Sequence, residues 1–247
     1  MICVVLAAGY ATRLYPLTEN FPKPLLEVKG KTILDWLLDD IDASHAIDQY
    51  VVITNHRYYN QFEEWMSAKF LSAPINILDD GTSDNDNRIG AVKDIEYAIK
   101  ELQLEDDLLV IAGDNVLDFS LCRFIDYFKA KRTSCVMRYF ESDVEKLKKC
   151  GVVKLGNDDL IVSMTEKPES PVSNWCVPPF YIYTKNDSFL VTKGIEEGCG
   201  FDAPGSFIAW LCKVKPVHAF EMSGKRYDIG NLESYESVKE EYLGIIK

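Results

Sequence analysis

Four short groups of residues in this chain have the types and spacing to do chemistry. The first is Leu6-Ala7-Ala8-Gly9-Tyr10-Ala11-Thr12-Arg13-Leu14, which runs on through Tyr15-Pro16-Leu17-Thr18 to Pro22-Lys23-Pro24. Small side chains directly after an apolar run let backbone N–H groups come close to an anion, and Arg13 and Lys23 add positive charge. The group is a phosphate cradle in outline, although a bare Ala-Ala-Gly turn is also an ordinary strand-to-helix connection. The second is Asp114, which follows the apolar run 108–112 and Gly113. That places a carboxylate at the carboxyl edge of a strand, where open α/β sheets bind ligands. The third is Asp228, in Tyr227-Asp228-Ile229-Gly230. Mg²⁺ is usually held by one or two carboxylates together with substrate phosphates and water, so the two aspartates suit that ion. Either one alone reads equally well as a helix cap or turn former. The fourth is Glu166-Lys167-Pro168, whose ammonium could face a second phosphate and whose carboxylate could meet a hydroxyl. Without context, a surface Glu-Lys pair is the simpler reading of it.

The elements that would position these groups follow from hydrophobic period. Short apolar runs at 2–6, 50–53 and 75–78 alternate with helical spacing at 33, 34, 37, 38 and 41 and a polar-faced stretch over 58–70. That alternation predicts a β-α-β-α-β core with a mainly parallel sheet. It resumes with 89, 92, 95, 99 and 102 at helical spacing, a buried-strand run at 108–112, a helix around 120–129 and a strand at 135–139. After Gly151 the texture changes: 152–155 and 160–164 flank Gly156-Asn157-Asp158-Asp159, which predicts an antiparallel hairpin. A strand at 180–183, helices near 188–197 and 204–211, a strand at 217–222 and a last helix from about 231 complete the pattern. With 19 residues after Asp228, no appended C-terminal domain is expected.

Composition narrows the function classes. The chain has 247 residues, 47% hydrophobic and 27% charged, which fits a single globular domain and excludes disordered, collagenous and coiled-coil classes. Its net charge of −12 argues against a broad nucleic-acid or anionic-membrane surface, while a few local cations still suffice for a small anion. Seven cysteines are scattered singly without CxxC pairs, as expected of reduced and mostly buried thiols in a cytoplasmic protein. The N-terminus has no basic region before its short apolar run, and no stretch approaches the ~18 apolar residues of a membrane span. Two familiar phosphate motifs fail on spacing. Gly30-Lys31-Thr32 has the tail of a P-loop, but Leu25 stands where its first glycine is required, and no GxGxxG follows the first strand. His45, His56 and His218 fall in no triad-like or metal-like spacing.

Taken in order, the four groups resemble the sugar-phosphate nucleotidyltransferases that make nucleoside-diphosphate sugars, typified by glucose-1-phosphate thymidylyltransferase and its uridylyl and guanylyl relatives. The resemblance rests on LAAGxxTRLxPLT…PKPL at 6–25, Gly113-Asp114-Asn115, Glu166-Lys167-Pro168 and Asp228-Ile229-Gly230, and it spans nearly the whole chain. It implies an α/β, Rossmann-like fold with a mixed, mainly parallel sheet, helices on both faces and a small antiparallel acceptor-side insertion. One nucleotidyltransferase domain would cover 1–247, with a nucleotide part at about 1–132, an acceptor part at about 133–227 and a C-terminal helix at about 231–244. The resemblance assigns Leu6, Ala8, Gly9, Thr12, Arg13, Lys23 and Gly90 to the nucleotide. It assigns Asn115, Gly151, Glu166 and Lys167 to the acceptor, Asp114 and Asp228 to Mg²⁺, and catalysis to Arg13, Lys23 and Lys167. The family's frequent self-association makes a homo-oligomer an expectation as well. Three positions depart from the family pattern: Ala11 stands at its second signature glycine, the acidic loop 79–87 is long, and Pro178-Pro179 and Asp202-Ala203-Pro204-Gly205 are unfamiliar on the acceptor side.

The reaction implied joins a nucleoside triphosphate and a sugar 1-phosphate, releasing pyrophosphate. A phosphate monoester with a second pKa near ~6 is already ionised at pH 7 and needs no general base, which suits a chain with three histidines. Three alternatives stay open. One is a cytidylyltransferase acting on a phosphorylated or phosphonate non-sugar acceptor. Another is a glycosyltransferase using Asp84-Asn85-Asp86 as a DxD motif, and the last is a catalytically silent nucleotide-binding regulator. Trp175 and Trp210 read either as packing or, for Trp175, as a stacking platform for a ligand.

Overall fold

The computed structural model describes residues 1–246. The chain divides into two compact units, one formed by 1–88, 112–123 and the segment from 223 onward, the other by 89–111 and 124–222. The α/β class and the mixed sheet predicted from the alternation are what the structure shows.

In the first unit the strands Ile2–Leu6, Gln49–Thr54 and Ile75–Asp79 pair in parallel, with Val4 opposite Val51 and Val52 opposite Ile77. Cys3, Val4, Val5 and Tyr50 to Ile53 are fully buried, as expected for parallel strands covered on both faces. The helix Ile33–Asp42 starts at Thr32, whose hydroxyl accepts the Asp35 N–H, and it buries Ile33, Leu34, Leu37, Leu38 and Ile41 along one stripe. Two short strands, Asn115–Leu117 and Arg226–Asp228, pair antiparallel so that Asp228 lies opposite Asn115. The last helix, Leu232–Glu241, opens on a capping box between Asn231 and Ser234. It ends earlier than the spacing suggested, with Tyr242 as its C-cap.

One apolar cluster in this unit sets the position of three candidate groups together. Leu14, Val116 and Ile229 pack with Leu26, Val28, Ile33, Tyr235, Val238 and Tyr242. Leu14 follows Arg13, Val116 lies two residues after Asp114, and Ile229 follows Asp228. Tyr242 fastens the cluster from the side, its hydroxyl donating to the Leu117 carbonyl and its ring meeting Trp36 edge-on. Trp36 itself donates to the Val28 carbonyl, so it belongs to packing rather than to a ligand site.

The second unit carries the predicted hairpin as Gly151–Leu155 paired antiparallel with Ile161–Glu166, the connection closing in a tight turn over Asn157–Asp159. Trp175–Val177 joins the other edge of Gly151–Leu155 and also pairs with Ser134–Phe140. Phe180–Tyr183 runs antiparallel to both Leu108–Ala112 and Ser134–Phe140, while Val217–Glu221 is parallel to the latter. The helix Ala91–Glu101 begins at Gly90, which has φ +98° and whose added Cβ would sit 2.5 Å from the Phe201 carbonyl oxygen. Glycine is therefore required at 90 by both conformation and contact. The helix Gly205–Leu211 presents Phe207 and Trp210 to the core, and the Trp210 indole donates to Glu197.

Candidate functional site

The loop that leaves the first strand is held open by buried side chains from elsewhere in its unit. The Asn55 amide donates to the Ala8 carbonyl at 3.0 Å, the Thr18 hydroxyl donates to the Ala11 carbonyl at 2.8 Å, and the Tyr58 hydroxyl donates to the Thr18 carbonyl at 2.7 Å. Tyr10 packs against Tyr58 and shares a hydrogen bond with Thr82, whose hydroxyl donates to Asp80. These partners fix the loop's carbonyls and leave its donors unused: among the described residues, the backbone N–H groups from Ala8 to Thr12 meet no protein acceptor. A run of free N–H groups at the end of a strand is an anion-binding concavity.

Ala11 adopts the left-handed conformation, φ +45°, just before the short Thr12–Leu14 turn. The position of the missing signature glycine thus keeps a glycine's backbone geometry, held by an alanine at a cost of about 1–2 kcal/mol. Gly9 behaves differently. Its φ is not left-handed and an added Cβ would meet no protein atom within 4 Å, so nothing in the protein itself demands glycine there.

The candidate cations and carboxylates of the first unit come together. Lys23, only 7% exposed, places its ammonium 2.7 Å from Asp114 Oδ2. Asn115 is committed on both sides: its amide nitrogen donates to Asp114 Oδ1 at 3.0 Å and its oxygen accepts from Arg226 at 2.8 Å. Burial pushes the Asp114 pKa up, but the nearby Lys23 and Arg226 charges outweigh it and hold the carboxyl below the usual range. Asp228 projects from the strand opposite Asn115 and is mostly exposed. The Arg13 guanidinium reaches the same turn, 4.0 Å from where a Cβ on Gly230 would lie. Asp114 and Asp228 thus sit on paired segments, and among the described residues no cluster of three or more metal-ligating side chains exists. Two hard oxygen donors suit Mg²⁺ only if phosphate and water complete its shell. Gly113 is a packing glycine, since a Cβ there would lie 2.8 Å from Val5.

In the second unit Glu166 occupies a slot between two glycines. A Cβ on Gly151 would come within 2.9 Å of Glu166 Oε2, and one on Gly205 within 2.2 Å; Met164 closes the same slot. The carboxylate accepts no hydrogen bond among the described residues. Burial pushes its pKa up to about 7, against the opposing Lys167 charge. Lys167 has φ +47°, a strained conformation for a non-glycine residue, and its N–H donates to the Cys150 carbonyl at 2.9 Å.

Several other sequence candidates resolve into structural roles. Asp84 accepts from the backbone N–H groups of Asp86 and Asn87, so the Asp84-Asn85-Asp86 stretch caps its own loop instead of presenting a DxD pair. Trp175 is engaged by the Arg138 guanidinium 4.5 Å above its ring and by Phe140. His56 pairs with Asp79, and His218 with Thr133. A cavity of about 600 Å³ in the first unit is lined by Asp40, Asp118, Phe119, Arg123 and Ser223, and none of the candidate residues reaches it. Asn55, Tyr58 and Arg226 carried no signal in the sequence, because each acts through a contact distant along the chain.

The first unit of this α/β chain thus carries an open N–H loop after its first strand and a carboxylate pair on adjoining segments, and the second unit carries a hairpin carboxylate beside a lysine. The chain belongs to the Nucleotidyl transferase family, whose match covers residues 2–244. It is 28% identical to the bifunctional protein GlmU of Methanocaldococcus jannaschii over 93% of this chain and 51% of that protein. It is 26% identical to the glucose-1-phosphate adenylyltransferase of Lachnospira eligens over 100% of this chain and 60% of that protein. The chain therefore spans about half the length of the first relative and three-fifths of the second. Its fold superimposes on a UDP-glucose pyrophosphorylase solved with UDP-glucose at a TM-score of 0.80, with 20% identity and 96% of each chain covered.

Glu166 makes stability depend on pH with a defined sign. The folded state holds its proton up to about pH 7 against an ordinary value of 4.5, so this group favours folding at low pH and the contribution disappears as pH rises through 7. Glu166→Gln is expected to gain up to about 3 kcal/mol over the parent at pH 8 and nothing at pH 4, read from urea unfolding at both pH values. A difference that does not change with pH would contradict the buried-carboxylate account.

Proposed function

We propose that this protein transfers a nucleotidyl group from a nucleoside triphosphate to the phosphate of a sugar 1-phosphate, releasing pyrophosphate. The observation that carries the proposal is the run of unbonded backbone donors from Ala8 to Thr12, flanked by Arg13 and by Lys23. In this reading Leu6, Ala8, Gly9 and Thr12 line the nucleotide, with Arg13 and Lys23 on its phosphates. The free space around Gly9 supports this, because the glycine is then required by the ligand's approach and not by the fold. Gly90, required where it is by Phe201, leads the second unit's helix toward the base only by analogy with the family.

Asp114 and Asp228 would hold Mg²⁺, which supplies charge neutralisation for the polyphosphate when bound. Lys23, paired with Asp114, links the carboxylate to the phosphate charges, and Asn115 orients Asp114 through its amide. The acceptor falls to Gly151, Glu166 and Lys167, with Asn115 contributing through its hold on Asp114. Glu166 offers an unpartnered carboxyl to a sugar hydroxyl, and Lys167 presents its ammonium from a backbone already fixed in a strained conformation. An acceptor phosphate oxygen attacks the α-phosphorus and pyrophosphate leaves in line. No side chain needs to remove a proton, since the phosphate is already ionised near pH 7. Catalysis then consists of alignment and charge stabilisation by Arg13, Lys23 and Lys167.

The test is Mg²⁺-dependent pyrophosphate release across the four nucleoside triphosphates, each against hexose 1-phosphates and small phosphorylated or phosphonate alcohols. A signal that needs both substrates, and falls by about 10²–10³ in Arg13→Ala and Asp114→Ala, is the expected outcome. Full activity in Arg13→Ala would sink the assignment. A signal confined to the non-sugar acceptors would replace the acceptor class. Gly9→Ala separates fold from function: unfolding free energy is expected to stay within about 0.5 kcal/mol of the parent while nucleotide affinity drops at least about tenfold. Loss of stability in that variant would make Gly9 a structural residue.

A further inference from the structure

Two of the seven cysteines meet in the second unit beside the acceptor residues. Cys176 lies opposite Val152 in the antiparallel pair, so Cys150 is its diagonal neighbour on the same sheet face. Both thiols belong to one small apolar cluster with Leu147, Val152 and Tyr139. They are hydrogen-bonded to each other, and the Tyr139 hydroxyl lies 3.4 Å from Cys150 Sγ. Their surroundings differ. Cys176 is fully buried within a strand paired on both edges, whereas Cys150 is half-buried and precedes the first residue of its strand.

We infer that Cys150 and Cys176 are an oxidation site, closing to an intramolecular disulfide when the protein meets a hydroperoxide. Cys150, the accessible member, is oxidised first. Its thiolate attacks a peroxide oxygen, the O–O bond breaks, and water or an alcohol leaves, giving a sulfenic acid. The Cys176 sulfur then attacks the Cys150 sulfur. The S–S bond forms as the S–O bond breaks, and the departing hydroxide takes the Cys176 proton as water. Two electrons leave the thiol pair and reduce the peroxide. The hydrogen bond with Cys150 and burial keep Cys176 protonated in the reduced protein, so its proton leaves with the departing hydroxide as the S–S bond forms.

The consequence falls on the acceptor side. A disulfide brings the sulfurs closer than thiol contact allows, and Cys176 is fixed by two neighbouring strands, so Cys150 must move. The Cys150 carbonyl accepts the Lys167 N–H, and Gly151, the next residue, walls the Glu166 slot. Closure therefore displaces Lys167 and the Glu166 slot together. This effect on turnover rests on the acceptor reading proposed above; the disulfide itself does not.

The experiment is mass spectrometry of the full chain before and after equimolar hydrogen peroxide, with peptide mapping under non-reducing conditions. We expect a loss of about two mass units, a cross-linked peptide joining the segments of Cys150 and Cys176, and reversal by dithiothreitol. The acceptor KM is expected to rise at least about threefold in the oxidised protein, with nucleotide affinity unchanged. Cys150→Ser, at the half-buried position, should abolish both effects. Separate 150 and 176 peptides after oxidation, or Cys150 carried to the sulfinic acid without a cross-link, would overturn the inference. A cross-link with an unchanged acceptor KM would overturn its consequence for the site. Absence of turnover in both reduced and oxidised protein would count against the proposed function, while the mass result would still decide the disulfide.

Discussion

A lysine ammonium taken almost entirely out of water must find a counter-charge, and in this protein Lys23 finds Asp114. The pair joins residues 91 apart in sequence and fixes where the segment around Lys23 stands relative to the end of the strand Leu108–Ala112. Lys23 is the buried member and Asp114 is partly exposed, so removing Asp114 leaves the ammonium without its counter-charge, whereas Asp114 alone keeps contact with solvent. The constraint then propagates. Asp114 is oriented by Asn115, Asn115 by Arg226, and Arg226 stands on the strand that ends in Asp228. Four charged groups and one amide thus share a single arrangement, and the apolar cluster of Leu14, Val116 and Ile229 lies beneath it.

Both halves of the proposed chemistry show local compromise. In the first unit Ala11 accepts a left-handed backbone, and five N–H groups find no protein partner among the described residues. In the second, Lys167 is left-handed and Glu166 is desolvated without a hydrogen bond. The desolvated Glu166 carboxyl is the costly group in the free protein, and a hydroxyl-bearing ligand would give it a partner, while an anion at the loop would replace water on the N–H groups. Strained backbone and a desolvated carboxyl therefore fall at residues that carry the family's motifs, which supports the proposed assignment of them to ligands. Elsewhere the buried polar groups are mostly paired: Ser134 with Asp187, Tyr50 with Asp42, and Asn55 with the Ala8 carbonyl.

Much of this was legible in the sequence. Short apolar runs located the parallel strands, helical spacing the 33–41 stripe and the polar turn at 156–159 the hairpin, because those elements are fixed by their own residues. Motif order singled out Arg13, Lys23, Asp114, Glu166, Lys167 and Asp228 as candidates, and the structure pairs Lys23 with Asp114 and sets Asp228 opposite Asn115. What sequence reasoning could not see depends on distant partners. The Glu166 slot is walled partly by the helix that begins at Gly205, the loop's carbonyls are held by Asn55 and Tyr58, and the 112–123 and 223–246 segments join the first unit through strand pairing. Asn115 reads as a ligand contact in the motif, and the sequence does not reveal that its amide also bonds Asp114 and Arg226. The end of the last helix at Glu241 was also invisible, since Tyr242 turns away to reach the Leu117 carbonyl.

The central claim is that the carboxylate paired with Lys23 couples a divalent cation to nucleotide binding. Calorimetric titration of a nucleoside triphosphate with and without Mg²⁺, on the parent and on Asp114→Asn, tests it directly. The account predicts that Mg²⁺ tightens binding at least about tenfold in the parent, worth about 1.4 kcal/mol, and has little effect in Asp114→Asn. Binding to the parent that ignores Mg²⁺, or a Mg²⁺ effect of equal size in Asp114→Asn, would contradict it.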